Sequence, residues 1–234
     1  MRRLRWAVVS VLLVGLLRVA GAQQPASQPS AAATAVVSFE FERDGLPVPH
    51  FLLAIHEDGS GTYQADEVER RSADSALQLV SRKHVDRALT VSPATVEKIF
   101  TAARMLKRFN TQCASKAKNI ADTGKKTLTY SGAEGSGSCT FNYSEDKNVA
   151  MLANTFLAMA YTMDIGRKLD FERRFDRLGL DAEMISLQQS VQDKNALELG
   201  AISSTLNAIA RDEDLMQRVR LLATKLMEQA ADNK

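Results

Sequence analysis

Residues 139–163 read CTFNYSEDKNVAMLANTFLAMAYTM, and the spacing of apolar side chains changes inside them. Cys139, Phe141 and Tyr143 alternate with Thr140 and Asn142. That two-residue period belongs to a strand with one buried face. Beyond Asp146, Leu152, Phe156, Met159, Ala160 and Met163 recur at the three- and four-residue steps of a helix. Sheet before the switch and helix after it predicts an α+β fold. An N-terminal antiparallel β-sheet packs on one helix, and an all-helical C-terminal region follows.

Upstream of the switch the strand period repeats. Val37, Phe39 and Phe41 alternate with Ser38, Glu40 and Glu42, then a GLPVP turn leads to Phe51, Leu53 and Ile55. Asp58-Gly59-Ser60-Gly61 supplies residues that tolerate positive φ, as a hairpin loop requires, and Thr62, Tyr63 and Ala65 form the return strand. Glu67 to Lys83 is highly charged and reads as a long hairpin tip or loop, with a helical turn over 73–80; RALTV (87–91) is a further strand. Ser92-Pro93 opens a helix, with Ser at the N-cap and Pro at the first helical position. Val96, Ile99, Phe100, Ala103 and Leu106 share one face, and the helix is expected to run from Pro93 to Phe109. Arg104, Lys107 and Arg108 gather near its C-terminal end, where positive charge suits the helix dipole. Lys126, Leu128 and Tyr130 pair with Cys139, Phe141 and Tyr143 in a second hairpin.

Downstream, Phe171, Phe175 and Leu178 read as an apolar continuation of the helix or a short second one, ended at Gly179. Met184, Leu187 and Val191 mark another helix, and Leu199, Ile202, Leu206 and Ile209 a further one. Asp212 is expected to cap the last, with Leu215, Val219, Leu222 and Leu226 on its face.

The N-terminus carries an address. Arg2, Arg3 and Arg5 precede an apolar run from Trp6 to Leu17, and Ala20-Gly21-Ala22 is a small-x-small cleavage site, the layout of a secretory signal peptide. Residues 1–22 are expected to be removed. Residues 23–33 (QQPASQPSAAA) are expected to be a disordered leader, 34–145 the sheet plus helix, and 146–234 the helical region. The chain has 30 Lys and Arg against 28 Asp and Glu; without Arg2, Arg3, Arg5 and Arg18 it has 26 against 28, a net charge of −2. No basic excess then argues for nucleic acid or an anionic membrane. No later stretch reads as a membrane span, so the mature chain is expected to be soluble and exported, periplasmic or secreted.

An exported chain with two cysteines, Cys113 and Cys139, predicts one disulfide. The only acid in a catalytic-looking context is Asp122, in ADTGKKTLTY (121–130). Asp122, Thr123 and Gly124 resemble the active-site triplet of aspartic proteases, whose two carboxylates share one proton. Lys125 and Lys126 follow here, and two ammonium groups would favour ionising both carboxylates. The competing reading is a tight turn, with Asp first and Gly supplying positive φ. His56 lies on the strand face opposite Phe51, Leu53 and Ile55 and is expected to face solvent; residue 60 is Ser, where a zinc-protease helix needs a second His. His50 and His84 lie far upstream of either cysteine. Asn142-Tyr143-Ser144 fits a glycosylation sequon. Met151, Met159 and Met163 read as core filler. No metal or cofactor is expected.

The order of strands, the Asp58-Gly59 turn, the Ser92-capped helix and the hairpin carrying Asp122, Thr127, Leu128 and Tyr130 resembles small secreted bacterial domains of unknown function. The resemblance spans roughly residues 36–143. It implies export and fold without assigning chemistry. The leading expectation is a non-catalytic protein-interaction module of the cell envelope or extracellular space, with an unidentified protein partner. A hydrolase using Asp122, or a carrier of a small apolar ligand lined by the methionines, are the alternatives.

Overall fold

The computed structural model describes residues 34–70 and 80–232. The expected signal peptide and leader lie outside the described residues, as does the helical turn over 73–80 except for Val80. Six antiparallel strands form one sheet: β1 (Val36–Glu42), β2 (His50–His56), β3 (Ser60–Arg70), β4 (Val80–Thr90), β5 (Lys125–Gly132) and β6 (Gly135–Phe141), in the order β4-β3-β2-β1-β5-β6. The register sets Phe39 opposite both Leu53 and Leu128, and Val37 opposite Ile55 and Tyr130. One face of the sheet is therefore a continuous apolar layer.

The charged stretch expected to be a loop from Glu67 to Lys83 instead continues the β3–β4 ladder, with Glu67 opposite Lys83 and Arg70 opposite Val80. The apolar alternation is missing there because Glu67, on the covered face, is accommodated by an ion pair with Arg167 of a later helix in place of an apolar contact.

Helix α1 (Pro93–Met105) buries Val96, Ile99, Phe100 and Ala103. It stops short of the expected Phe109. Lys107, Arg108 and Phe109 all take left-handed backbone angles, φ 52, 56 and 64. Such angles disfavour ordinary residues. Here the fully buried Phe109 ring anchors the turn, and Asn110 Nδ2 donates to Ser136 O at 2.9 Å, laying the turn along the edge strand β6. Cys113, just beyond, forms the expected disulfide with Cys139 of β6, Cα–Cα 5.8 Å.

Helix α2 (Lys147–Phe175) begins at Asp146, whose carboxylate accepts from the Asn148 and Val149 amides. Its first half covers the sheet, with the Phe156 ring stacked on Phe39 at 5.2 Å and 6°. Its second half enters a separate apolar cluster through Ile165 and Leu169. That cluster is completed by α3 (Arg177–Gln192), a 3-10 turn (Leu199–Ile202), α4 (Ser203–Arg211) and α5 (Gln217–Asp232). Gly166 marks the closest approach: a Cβ there would lie 2.3 Å from Ile202 Cγ2. Element type changes after residue 145, yet Val149 to Met163 belong to the same apolar cluster as the sheet.

Two further helix limits differ from expectation. The break falls at Asp176, φ −143, and Gly179 sits within the first turn of α3, its amide donating to Asp176 Oδ1 at 2.9 Å. Asp212 ends α4, and α5 starts only at Gln217. The Asp212 side chain caps neither helix: it accepts from the Asp214 amide and pairs with Arg173. The α2 helix is also long and apolar enough, by length and composition, to cross a membrane, which corrects the expectation that no later stretch would be; 67% of its apolar window is buried inside the protein.

Candidate functional site

The β2–β3 turn lies against one face of α1 and leaves a groove of about 340 Å³ between them. Its floor is apolar: Gly59, Val91, Val96 and Phe100. Gly59 has φ +85, and a Cβ there would meet Val91 O at 3.0 Å, so a larger residue would strain the turn that forms the groove wall. Its rim is charged: Glu57, Asp58, Glu97 and Arg104 surround Thr101 and Pro93.

The rim is partly fixed. Arg104 Nη2 lies 2.5 Å from Glu57 Oε1 and 3.4 Å from Glu134, which also pairs with Arg108 at 2.9 Å. The Glu57 hydrogen bond, first, and Glu134 push the Arg104 pKa further up. The guanidinium carbon lies 5.8 Å over the Phe100 ring. Asp58 Oδ1 accepts from the Ser60 amide at 2.9 Å and the Ser60 hydroxyl at 2.6 Å, and these bonds hold its pKa below the usual carboxylate range. Glu97 is exposed and has no hydrogen-bond or ion-pair partner among the described residues.

The N-terminus of α1 borders this groove and is already complemented. Ser92 occupies the N-cap position, but its side chain caps no amide of its own helix. Its amide donates to Glu198 Oε2 at 2.9 Å and its hydroxyl to Glu198 Oε1 at 2.8 Å. Glu198 thus supplies, from the helical half, the negative charge a helix N-terminus favours.

The structure places Asp122 in a tight turn. Its Oδ1 accepts from the Gly124 amide at 2.9 Å, and Gly124 has φ +93. The Lys126 ammonium is buried over the Phe41 ring and donates to Thr123 O, Gly124 O and Asn142 O at 2.9 to 3.0 Å. Burial pulls its pKa down from the usual lysine value. Asn142 closes the turn: its Nδ2 donates to Ala121 O at 2.9 Å and its Oδ1 accepts from the Thr123 amide at 2.8 Å. A glycan on Nδ2 would compete with that bond. Met159 and Met163 are buried in the apolar cluster shared with the sheet.

On the sheet face away from the helices, residues scattered in sequence meet. His50 Nε2 lies 3.0 Å from Glu40 and its Nδ1 3.3 Å from Asp66, while His84 Nδ1 lies 2.9 Å from the other Asp66 oxygen. His56 shares this face and is half-buried. Among the described residues, no group of three or more His, Cys, Asp or Glu is placed to hold a metal ion.

A second exposed feature lies where α2 meets α3. Phe171, Phe175 and Leu178, read from the sequence as a helix continuation or a short second helix, are 58%, 72% and 82% exposed. The two rings touch, with centroids 5.0 Å apart. The spacing was legible in the sequence; that this stripe turns outward depends on where α3 crosses. Neither the groove nor the Glu198 contact has a sequence signal, because each joins segments far apart in the chain.

No protein-family model matches the chain, and no curated protein matches it by sequence.

Proposed function

We propose that this is an exported, non-catalytic interaction module that docks a partner protein through the corner between α2 and α3. Export is supported by the signal-peptide pattern of residues 1–22, and the Cys113–Cys139 disulfide is compatible with an oxidising compartment. The observation that carries the docking reading is the exposure of Phe171, Phe175 and Leu178 together. Contiguous exposed apolar surface rimmed by polar groups is characteristic of protein contacts. The neighbouring cations are already paired within the chain: Arg174 with Asp170 at 2.8 Å, Arg173 with Asp212 at 3.2 Å and Arg177 with Asp214 at 3.4 Å. The fitting partner therefore presents an apolar, near-neutral surface.

Placing a photo-crosslinking residue at Leu178, with Thr129 on the open sheet face as the control position, tests this in the cells that export the protein. The expected result is an adduct to one partner from position 178 alone. That partner, once purified, should bind the wild-type chain and lose about tenfold or more in affinity for Phe175→Ser. An adduct of twice the chain mass would replace the separate partner with a second copy. Adducts no stronger from 178 than from 129 would overturn the reading.

A further inference from the structure

We propose that the groove between α1 and the β2–β3 turn binds a small organic cation: an ammonium or guanidinium head on a short apolar body. The volume of about 340 Å³ lies at the lower end of small-molecule sites, so the apolar body must be short. Val91, Val96 and Phe100 provide the floor for it. The sign of the head follows from the rim. Glu57, Asp58 and Glu97 set three negative charges there against the single positive charge of Arg104.

The positive groups nearby are engaged. Arg104 lies over the Phe100 ring with its charge already matched by Glu57 and Glu134, so it is not free to pair with an incoming anion. The α1 N-terminus, which would otherwise favour an anion, already faces the Glu198 carboxylate. The carboxylates keep capacity in reserve. Glu97 has no partner among the described residues, and the bonds to Asp58 and Glu57 each fall on a single oxygen, Oδ1 and Oε1. A cation entering between α1 and the turn meets these free oxygens while its body covers the floor. A carboxylate of the same size meets the same oxygens as repulsion.

The test uses the purified exported chain, labelled with nitrogen-15, and three matched probes: phenethylammonium, 2-phenylethanol and phenylacetate. Phenethylammonium should give saturable amide shifts centred on Gly59, Glu97 and Thr101, with the alcohol much weaker and the carboxylate silent. Glu97→Gln, an exposed change, should weaken the ammonium about three- to fivefold. Thr101→Trp, which fills the groove from an exposed position, should abolish the shifts. The urea midpoint of each variant should stay at the wild-type value, separating lost binding from lost folding. Absence of saturable shifts with the ammonium, equal shifts from phenylacetate, or undiminished binding in either variant would overturn the proposal.

Discussion

In the sheet half, Phe39 lies between Leu53 and Leu128 within its own layer and beneath the Phe156 ring. In the helical half, the corresponding role falls to Leu169, Leu180, Met184 and Leu206, contributed by three helices and no strand. The first cluster is rich in stacked aromatic rings and is tied by a disulfide. The second is aliphatic, and its outer ties are ion pairs such as Arg173–Asp212. What unites them is α2, which contributes Phe156 to one and Leu169 to the other. A shared helix of 29 residues makes the two clusters depend on each other although they share few side chains.

The strongest way to break that dependence is at Phe156. Phe156→Ala should cost about 3 to 5 kcal/mol, because the cavity opens under a sheet that cannot collapse into it. Circular dichroism of the helices and near-ultraviolet signals of the sheet should still lose structure in one urea transition; two separated transitions would show that the halves are independent. The disulfide sharpens the comparison from the other side. Replacing Cys113 and Cys139 by Ser should cost about 3.5 kcal/mol, the chain-entropy value for a loop of this separation. That loss is read as a lower urea midpoint, with a steeper slope because the uncrosslinked denatured chain exposes more surface.

Gly166 tests the junction itself. Gly to Ala in a helix usually stabilises by up to about 1 kcal/mol. Here the new methyl meets Ile202, so Gly166→Ala should destabilise by about 1 to 3 kcal/mol, and a double variant with Ile202→Val should recover part of it. A smaller tie crosses between the halves at Glu198. Glu198→Ala should cost about 1 kcal/mol and speed hydrogen exchange of the Ser92 amide, leaving α5 amides unchanged.

The smallest effect separates the two faces of one strand. Asp66, on the open face, has its pKa lowered chiefly by the His84 hydrogen bond. Its contribution to stability is present above the unfolded-chain value and is lost as pH falls through the lower folded value. Glu67, on the helix face at 7% exposure, has its pKa raised by burial, which outweighs the attraction of Arg167. Its contribution is present at low pH and is lost as pH rises through the folded value. Asp66→Asn and Glu67→Gln should therefore change the pH dependence of the urea midpoint in opposite directions. For Asp66 the change amounts to a few tenths of a kcal/mol, since water screens that pair.

Local chemistry made much of this fold readable. Period-two alternation located β1, β2, β5 and β6, and three-and-four spacing located the buried faces of α1 and α2. Asp122 and Gly124 form the turn that their side-chain and backbone preferences favour. The ladder between Glu67 and Lys83 was not readable, because its covered position at Glu67 is filled by a charged side chain whose partner, Arg167, lies far along the chain. The left-handed turn at Lys107 to Phe109 was not readable either, since its cost is offset only by burial of Phe109 and by contacts with β6.

The sequence by itself determined the class of fold, the two kinds of periodicity and the cysteine pair, all of which depend on neighbours a few residues apart or on composition. Only the tertiary structure decided that α2 serves two cores, that Phe171, Phe175 and Leu178 face outward, and that Glu198 closes the end of α1. It also decided that the β2–β3 turn and α1 enclose a groove with an acidic rim. The physical reason is common to all four. Each depends on the crossing of elements distant in the chain, and no local preference of the residues involved distinguishes the face that is covered from the one left open.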